Sequence, residues 1–104
     1  MEHPTLMNIQ AVPEAIVMVW YSREDYKAVL AVMDDAAGLP ATYDKWRRSA
    51  ERGAARFARE GKRIIRTPLD PREFALWCEA RGIRKDGRAR NQFAVEKARR
   101  AFDR

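Results

Sequence analysis

The sequence predicts an α+β fold in which a small sheet of two or three strands is packed by four helices. Two short β-branched runs, 15–20 and 63–67, have the length and composition of strands. Two segments with helical periodicity follow each run, which gives the order β-α-α-β-α-α. Prolines and glycines fall between these segments, where helices and strands are expected to end.

The 104 residues suit a single domain with one core. Residues 1–14 contain Pro4 and Pro13 and show no period, so we interpret them as an N-terminal arm or an edge strand. Residues 15–104 then form the α+β domain. Two strands alone make a weak sheet, so we expect the arm or a second copy of the chain to complete it. We expect the helices on one face of that sheet.

The first strand, 15–20, is followed by a helix predicted over 23–37. Ser22 has the N-cap position, and Asp25 stands three residues later as its capping partner. Gly38 and Pro40 end this helix.

A second helix begins at Thr42 or Asp44 and runs to about residue 60, with Gly61 as its stop. Its apolar side carries Trp46, and the other two tryptophans, Trp20 and Trp77, are also predicted on apolar sides. The opposite side carries basic residues at spacings of three and four, which form one line along the helix. We call this line the basic stripe: Lys45, Arg48, Arg52, Arg56 and Arg59.

The second strand, 63–67, leads into the most clearly bounded helix. Asp70 has the N-cap position, Pro71 the first helical position, and Gly82 the C-terminal stop. Asp86 caps a last helix over 87–102. Phe93 falls outside the apolar arc of that helix, which leaves it as a second contact or an exposed aromatic.

Charge is distributed unevenly along the chain. The net charge is +6, yet residues 1–44 carry −5, residues 45–66 carry +7 and residues 81–104 carry +6. This asymmetry indicates either internal complementarity or a surface that attracts polyanions. No apolar run reaches the ~20 residues that a membrane span needs, and the N-terminus lacks a signal-peptide pattern. We therefore expect a cytoplasmic protein without a membrane partner.

Few residues of this chain suit catalysis or metal binding. One histidine, His3, and one cysteine, Cys78, cannot form a His/Cys metal site or a nucleophile–base pair. We therefore predict no catalytic residues, no metal and no cofactor, and we favour a non-enzymatic protein. Cys78 is interpreted as a small buried hydrophobe. Because Arg81 shares its face, a reactive thiol remains the alternative.

The basic stripe is the strongest candidate for function, because Arg side chains bind phosphates bidentately. Its structural alternative is a solvated helix face, which is the commoner meaning of such a charge pattern. Arg90 belongs to a second basic cluster after Gly82, together with the candidate polyanion-binding residues Arg84, Lys85 and Arg88.

A different hypothesis places a small-ligand or enzyme pocket at the carboxyl ends of the strands, where parallel α/β folds bind ligands. Its candidate residues are Tyr21, Ser22, Thr67 and Asp70.

Three segments, 20–26, 39–46 and 69–78, resemble small uncharacterised (hypothetical) proteins of proteobacteria. They read Trp-Tyr-Ser-Arg-Glu-Asp-Tyr, Leu-Pro-Ala-Thr-Tyr-Asp-Lys-Trp and Leu-Asp-Pro-Arg-Glu-Phe-Ala-Leu-Trp-Cys. The resemblance covers most of 16–95 and implies a bacterial cytoplasmic origin, with no activity, cofactor or site attached.

The first functional hypothesis is therefore a non-enzymatic binding or interaction protein that forms a homodimer or other homo-oligomer. The alternative is a nucleic-acid-binding or nucleic-acid-associated regulator. A nucleic acid or an acidic protein is the partner expected for the basic residues.

Overall fold

The computed structural model describes residues 15–102, and the side chain of Phe102 lies outside that description. Two parallel strands and four helices follow one another in the order that the sequence predicts, so the α+β prediction is confirmed. The elements are β1 (Ala15–Trp20), α1 (Tyr26–Val32), a 3₁₀ turn (Ala36–Gly38), α2 (Tyr43–Arg59), β2 (Arg63–Pro68), α3 (Pro71–Arg81) and α4 (Gly87–Phe102). None of the helices in this part of the chain combines the length and the hydrophobicity of a transmembrane segment.

The sheet is a parallel pair in which Ala15 faces Arg63 and Trp20 faces Pro68. Parallel strands need a crossover, and here the crossover contains α1 and α2. The predicted third strand, in residues 1–14, lies outside the described residues. Completion of the sheet by that arm or by a second copy stays a prediction.

Helices cover both faces of the sheet, which differs from the one-sided packing that we expected. On one face, the rings of Trp20 and Trp46 meet edge to face at 5.2 Å, which places α2 there. Ile65 and Thr67 point to the opposite face, where they line a cavity together with Ala98 of α4. The reason is that β-branched strands are apolar on both sides, so a parallel pair needs both sides covered.

Aromatic side chains build the core. Phe74 and Phe93 are almost fully buried, with ring centroids 5.4 Å apart, so Phe93 is a core contact rather than an exposed aromatic. Of the three tryptophans only Trp46 is buried. Trp20 and Trp77 are half-buried beneath the guanidinium groups of Arg66 and Arg81, at 4.3 Å and 4.1 Å from the ring centroids.

The first helix is shorter than the predicted 23–37. Ser22 Oγ accepts a hydrogen bond from the Asp25 amide, but this bond closes a turn, and α1 begins only at Tyr26. At the other end, Met33 is extended and Asp34 exchanges hydrogen bonds with the backbone of Lys85. These contacts with the loop before α4 end the helix, because tertiary hydrogen bonds replace those of a further helical turn.

The other helix boundaries follow the predicted capping residues. Thr42 Oγ1 accepts from the Lys45 amide at the start of α2, and Asp86 Oδ1 accepts from the Ala89 amide in the first turn of α4. Gly82 ends α3 with a φ of 63°, a conformation that costs glycine little.

Asp70 is the best-formed cap, because its Oδ1 accepts hydrogen bonds from the amides of both Arg72 and Glu73. Replacing it in the variant Asp70→Ala leaves both amides without this acceptor. We expect a loss of about 1 kcal/mol in the free energy of unfolding, measured by urea denaturation. An Asp70→Asn variant, which keeps an acceptor oxygen, should recover most of that loss. Equal destabilisation by both substitutions would contradict the capping role.

Candidate nucleic-acid interface

The basic stripe is exposed along its whole length. All five of its side chains lie on the solvent side of α2, while Trp46 and Ala54 on the opposite side are buried in the core. From Lys45 to Arg59 the helix advances by roughly 21 Å, at 1.5 Å per residue. The structure thus brings the five predicted residues together as one line of positive charge.

The stripe cations have almost no partners within residues 15–102. Lys45, Arg48, Arg52 and Arg59 form no ion pair with any residue in that range, and Arg56 lies 5.4 Å from the ring centroid of Phe57. Their charges are therefore available to a ligand.

The two carboxylates of α2 are engaged by cations outside the stripe. Glu51 contacts Arg66 of β2 at 2.9 Å and Arg47 at 3.5 Å, and Asp44 contacts Arg23 at 2.8 Å. Because each acid already has a nearer partner, the positive charge of the stripe is not neutralised from within its own helix.

An open groove runs beside the first half of the stripe. Its volume is about 550 Å³, and Arg48 and Arg52 form part of its wall. The remaining lining residues belong to the ion pairs described above, Arg23 with Asp44 and Arg47 with Glu51.

A second depression lies where both strands end, at the place predicted for a small-ligand pocket. We call it the strand-end cleft. Its volume is about 450 Å³, and its lining residues are Trp20, Tyr21, Ser22, Arg23, Glu24, Tyr43, Arg47 and Pro68.

Only two of the four predicted pocket residues meet in this cleft. Tyr21 and Ser22 line it. Thr67 is buried on the other face of the sheet, beside α4, because neighbouring strand residues point to opposite faces. The carboxylate of Asp70 is used as the cap of α3. The strand ends therefore do not bring the four side chains into one site.

Tyr21 is a core residue as much as a cleft residue. It is only 3% exposed, and its ring lies 4.9 Å from that of Trp46. Burial raises the pKa of Tyr21 to about 12, so its hydroxyl stays protonated at neutral pH. The more accessible ring is Tyr43, which is half-buried and has the Arg23 guanidinium 4.6 Å from its centroid.

The second basic cluster is partly neutralised. Arg84 contacts Asp86 at 3.7 Å and Lys85 contacts Glu79 at 3.8 Å, whereas Arg88 is exposed and has no ion pair within residues 15–102. This cluster therefore offers a polyanion less free charge than the stripe does.

Arg90 is not part of that surface, and this is the feature that the sequence interpretation missed. Its side chain is buried and forms a bidentate ion pair with Asp35, with Nη1–Oδ1 at 2.7 Å and Nη2–Oδ2 at 3.1 Å. The hydrogen bond from Arg90 lowers the pKa of Asp35. Arg90 stands four residues before Ala94 and eight before Ala98, so its position on the apolar row was the available signal.

Cys78 is fully buried, which confirms the hydrophobic interpretation. Burial raises the pKa of its thiol, so the nucleophilic thiolate is disfavoured. Among residues 15–102, no three His, Cys, Asp or Glu side chains are placed to hold a metal ion.

Comparisons of this chain with family models, curated proteins and solved structures find no match.

Proposed function

We propose that the chain is a non-enzymatic nucleic-acid-binding protein whose basic stripe contacts the phosphates of its ligand. The observation that carries this proposal is the set of exposed stripe cations without an ion pair in residues 15–102. At 3.4 Å per nucleotide along one strand, the ~21 Å stripe matches a backbone segment of about six nucleotides.

Regular charge favours a nucleic acid over the other anionic partners. An acidic protein was also expected to suit these residues, but the even spacing and single sign of the stripe match a polymer with a regularly repeated negative charge. An anionic membrane suits it less well. Helices that lie in a membrane surface insert an apolar face, and the apolar side of α2, with Trp46 and Ala54, is already buried in the core.

The experiment that tests this proposal is the salt dependence of binding to a labelled DNA duplex, followed by fluorescence anisotropy. If all five stripe cations neutralise phosphates, the slope of log K against log salt should be about −4.5. That slope corresponds to a loss of about 500-fold in affinity between ~50 and ~200 mM salt. A slope near zero, or no binding at ~50 mM salt to either this duplex or one of its single strands, would overturn the proposal.

A further inference from the structure

The groove beside the stripe and the strand-end cleft are contiguous. Arg23 and Arg47 line both depressions, so a ligand that follows the stripe reaches the cleft without leaving the surface. The basic stripe therefore continues into the strand-end cleft, whose lining residues are chemically different.

The cleft has the lining of a site for a flat, uncharged group. Trp20, Tyr43 and Pro68 supply ring surface, and its volume of about 450 Å³ lies within the range of small-ligand pockets. The charged residues of its described lining are Glu24 and the two arginines that it shares with the groove, Arg23 and Arg47. These arginines can hold the phosphates that enter from the stripe, whereas the rings suit a nucleobase, which carries no charge and has a π-face for stacking.

Arg23 can contact a ligand both in the groove beside the stripe and in the strand-end cleft. Its side chain is 62% exposed, lies over the Tyr43 ring and pairs with Asp44. An exposed ion pair contributes little stability, so a phosphate can replace Asp44 as the partner of the Arg23 guanidinium at a small cost in free energy. The face of Tyr43 that Arg23 covers then becomes available to a base.

We propose that the preferred ligand is single-stranded nucleic acid, with its backbone along the stripe and one unstacked base in the strand-end cleft against Tyr43. This inference rests on the proposed function and names its substrate class. A base inside a duplex is paired and stacked, so it reaches such a site only if the duplex is opened at an energetic cost.

The test compares three probes at one salt concentration: a 12-nucleotide single strand, a duplex of the same length and inorganic polyphosphate, which has charge but no bases. In the variant Tyr43→Leu, affinity for the single strand should fall about 10-fold, in line with the loss of one stacked base. Affinity for the duplex and for polyphosphate should change less than about two-fold.

Trp77→Leu is the matched control, because Trp77, like Tyr43, is a half-buried ring beneath an arginine but lies outside both the cleft and the stripe. It should leave all three affinities unchanged. A further measurement needs no variant: the unmodified protein should bind a single strand about 10-fold more tightly than an abasic strand with the same phosphates.

Equal affinities for the normal and abasic strands would overturn this inference, as would an equal loss for all three probes in Tyr43→Leu. In either case the proposed function survives if duplex and polyphosphate still bind with a steep salt dependence. Absence of binding to every probe would instead remove the proposed function itself.

Discussion

The triple variant Arg48→Glu/Arg52→Glu/Arg56→Glu is expected to lower affinity for a DNA duplex by at least about 100-fold at ~50 mM salt. Three attractive contacts become three repulsive ones, and the slope of log K against log salt should shrink towards zero because fewer counterions are released. All three residues are exposed, so the free energy of unfolding should change by less than about 1 kcal/mol. Anisotropy and urea denaturation measure the two quantities.

The matched control changes the same amount of charge elsewhere. Arg72, Arg99 and Arg100 are exposed residues of α3 and α4, and changing all three to Glu also takes the net charge from +6 to 0. We expect this control to lose less than about 5-fold in affinity, through the long-range field alone. Equal losses in the two variants would mean that total charge, rather than the stripe, determines binding.

Removing Asp35 should be the most destabilising single change to a polar side chain in this fold. The variant Asp35→Ala leaves Arg90 charged, with only 11% of its side chain exposed, and without the bidentate partner it now has. Because an arginine does not deprotonate and cannot regain full hydration there, we expect a loss of about 3 kcal/mol in the free energy of unfolding. Urea denaturation at neutral pH measures it.

An exposed ion pair of the same type is the control. Asp44→Ala breaks the contact with Arg23, whose side chain is 62% exposed, and should destabilise the fold far less than Asp35→Ala does. A double variant, Asp35→Ala/Arg90→Met, removes the buried charge as well and should recover much of the loss. Equal effects of Asp35→Ala and Asp44→Ala would contradict the role of burial.

The same pair predicts a change of stability with pH. The pKa of Asp35 is lowered in the folded protein, so the carboxylate stabilises the fold fully above its unfolded pKa, near pH 4. This contribution is lost as the pH falls through the lower, folded pKa. The unmodified protein should therefore lose more of its free energy of unfolding below about pH 4 than the Asp35→Ala variant does. Parallel pH profiles would exclude this contribution of Asp35.

The strands and helices that the sequence predicts correctly depend on residues close to one another in the chain. The strands were found from composition, and Asp70, Pro71 and Gly82 determine α3 through contacts within a few residues. The exposed stripe followed from helical spacing alone. The predicted end of α1 was wrong because Asp34 forms a hydrogen bond with Lys85, far along the chain. Helical periodicity carries no information about such a long-range contact.

Long-range contacts also determine the parts of the candidate site that were missed. The strand-end cleft needs the ends of both strands and the start of α2 to meet, and no local sequence pattern predicts that Tyr43 lies there. Arg90 was assigned to the surface because its neighbours Arg84, Lys85 and Arg88 are basic. Its burial depends on Asp35, which lies 55 residues earlier in the chain.

The parallel register has a consequence for how the chain folds. Every pair in the sheet joins residues 48 positions apart, from Ala15 with Arg63 to Trp20 with Pro68, so no sheet hydrogen bond can form early by local closure. The aromatic contacts between Tyr21, Tyr26 and Trp46 span at most 25 positions and do not need β2. We therefore expect these three rings to pack before the sheet forms, so the part of the strand-end cleft that Tyr21 lines becomes ordered before Pro68 of β2 completes it.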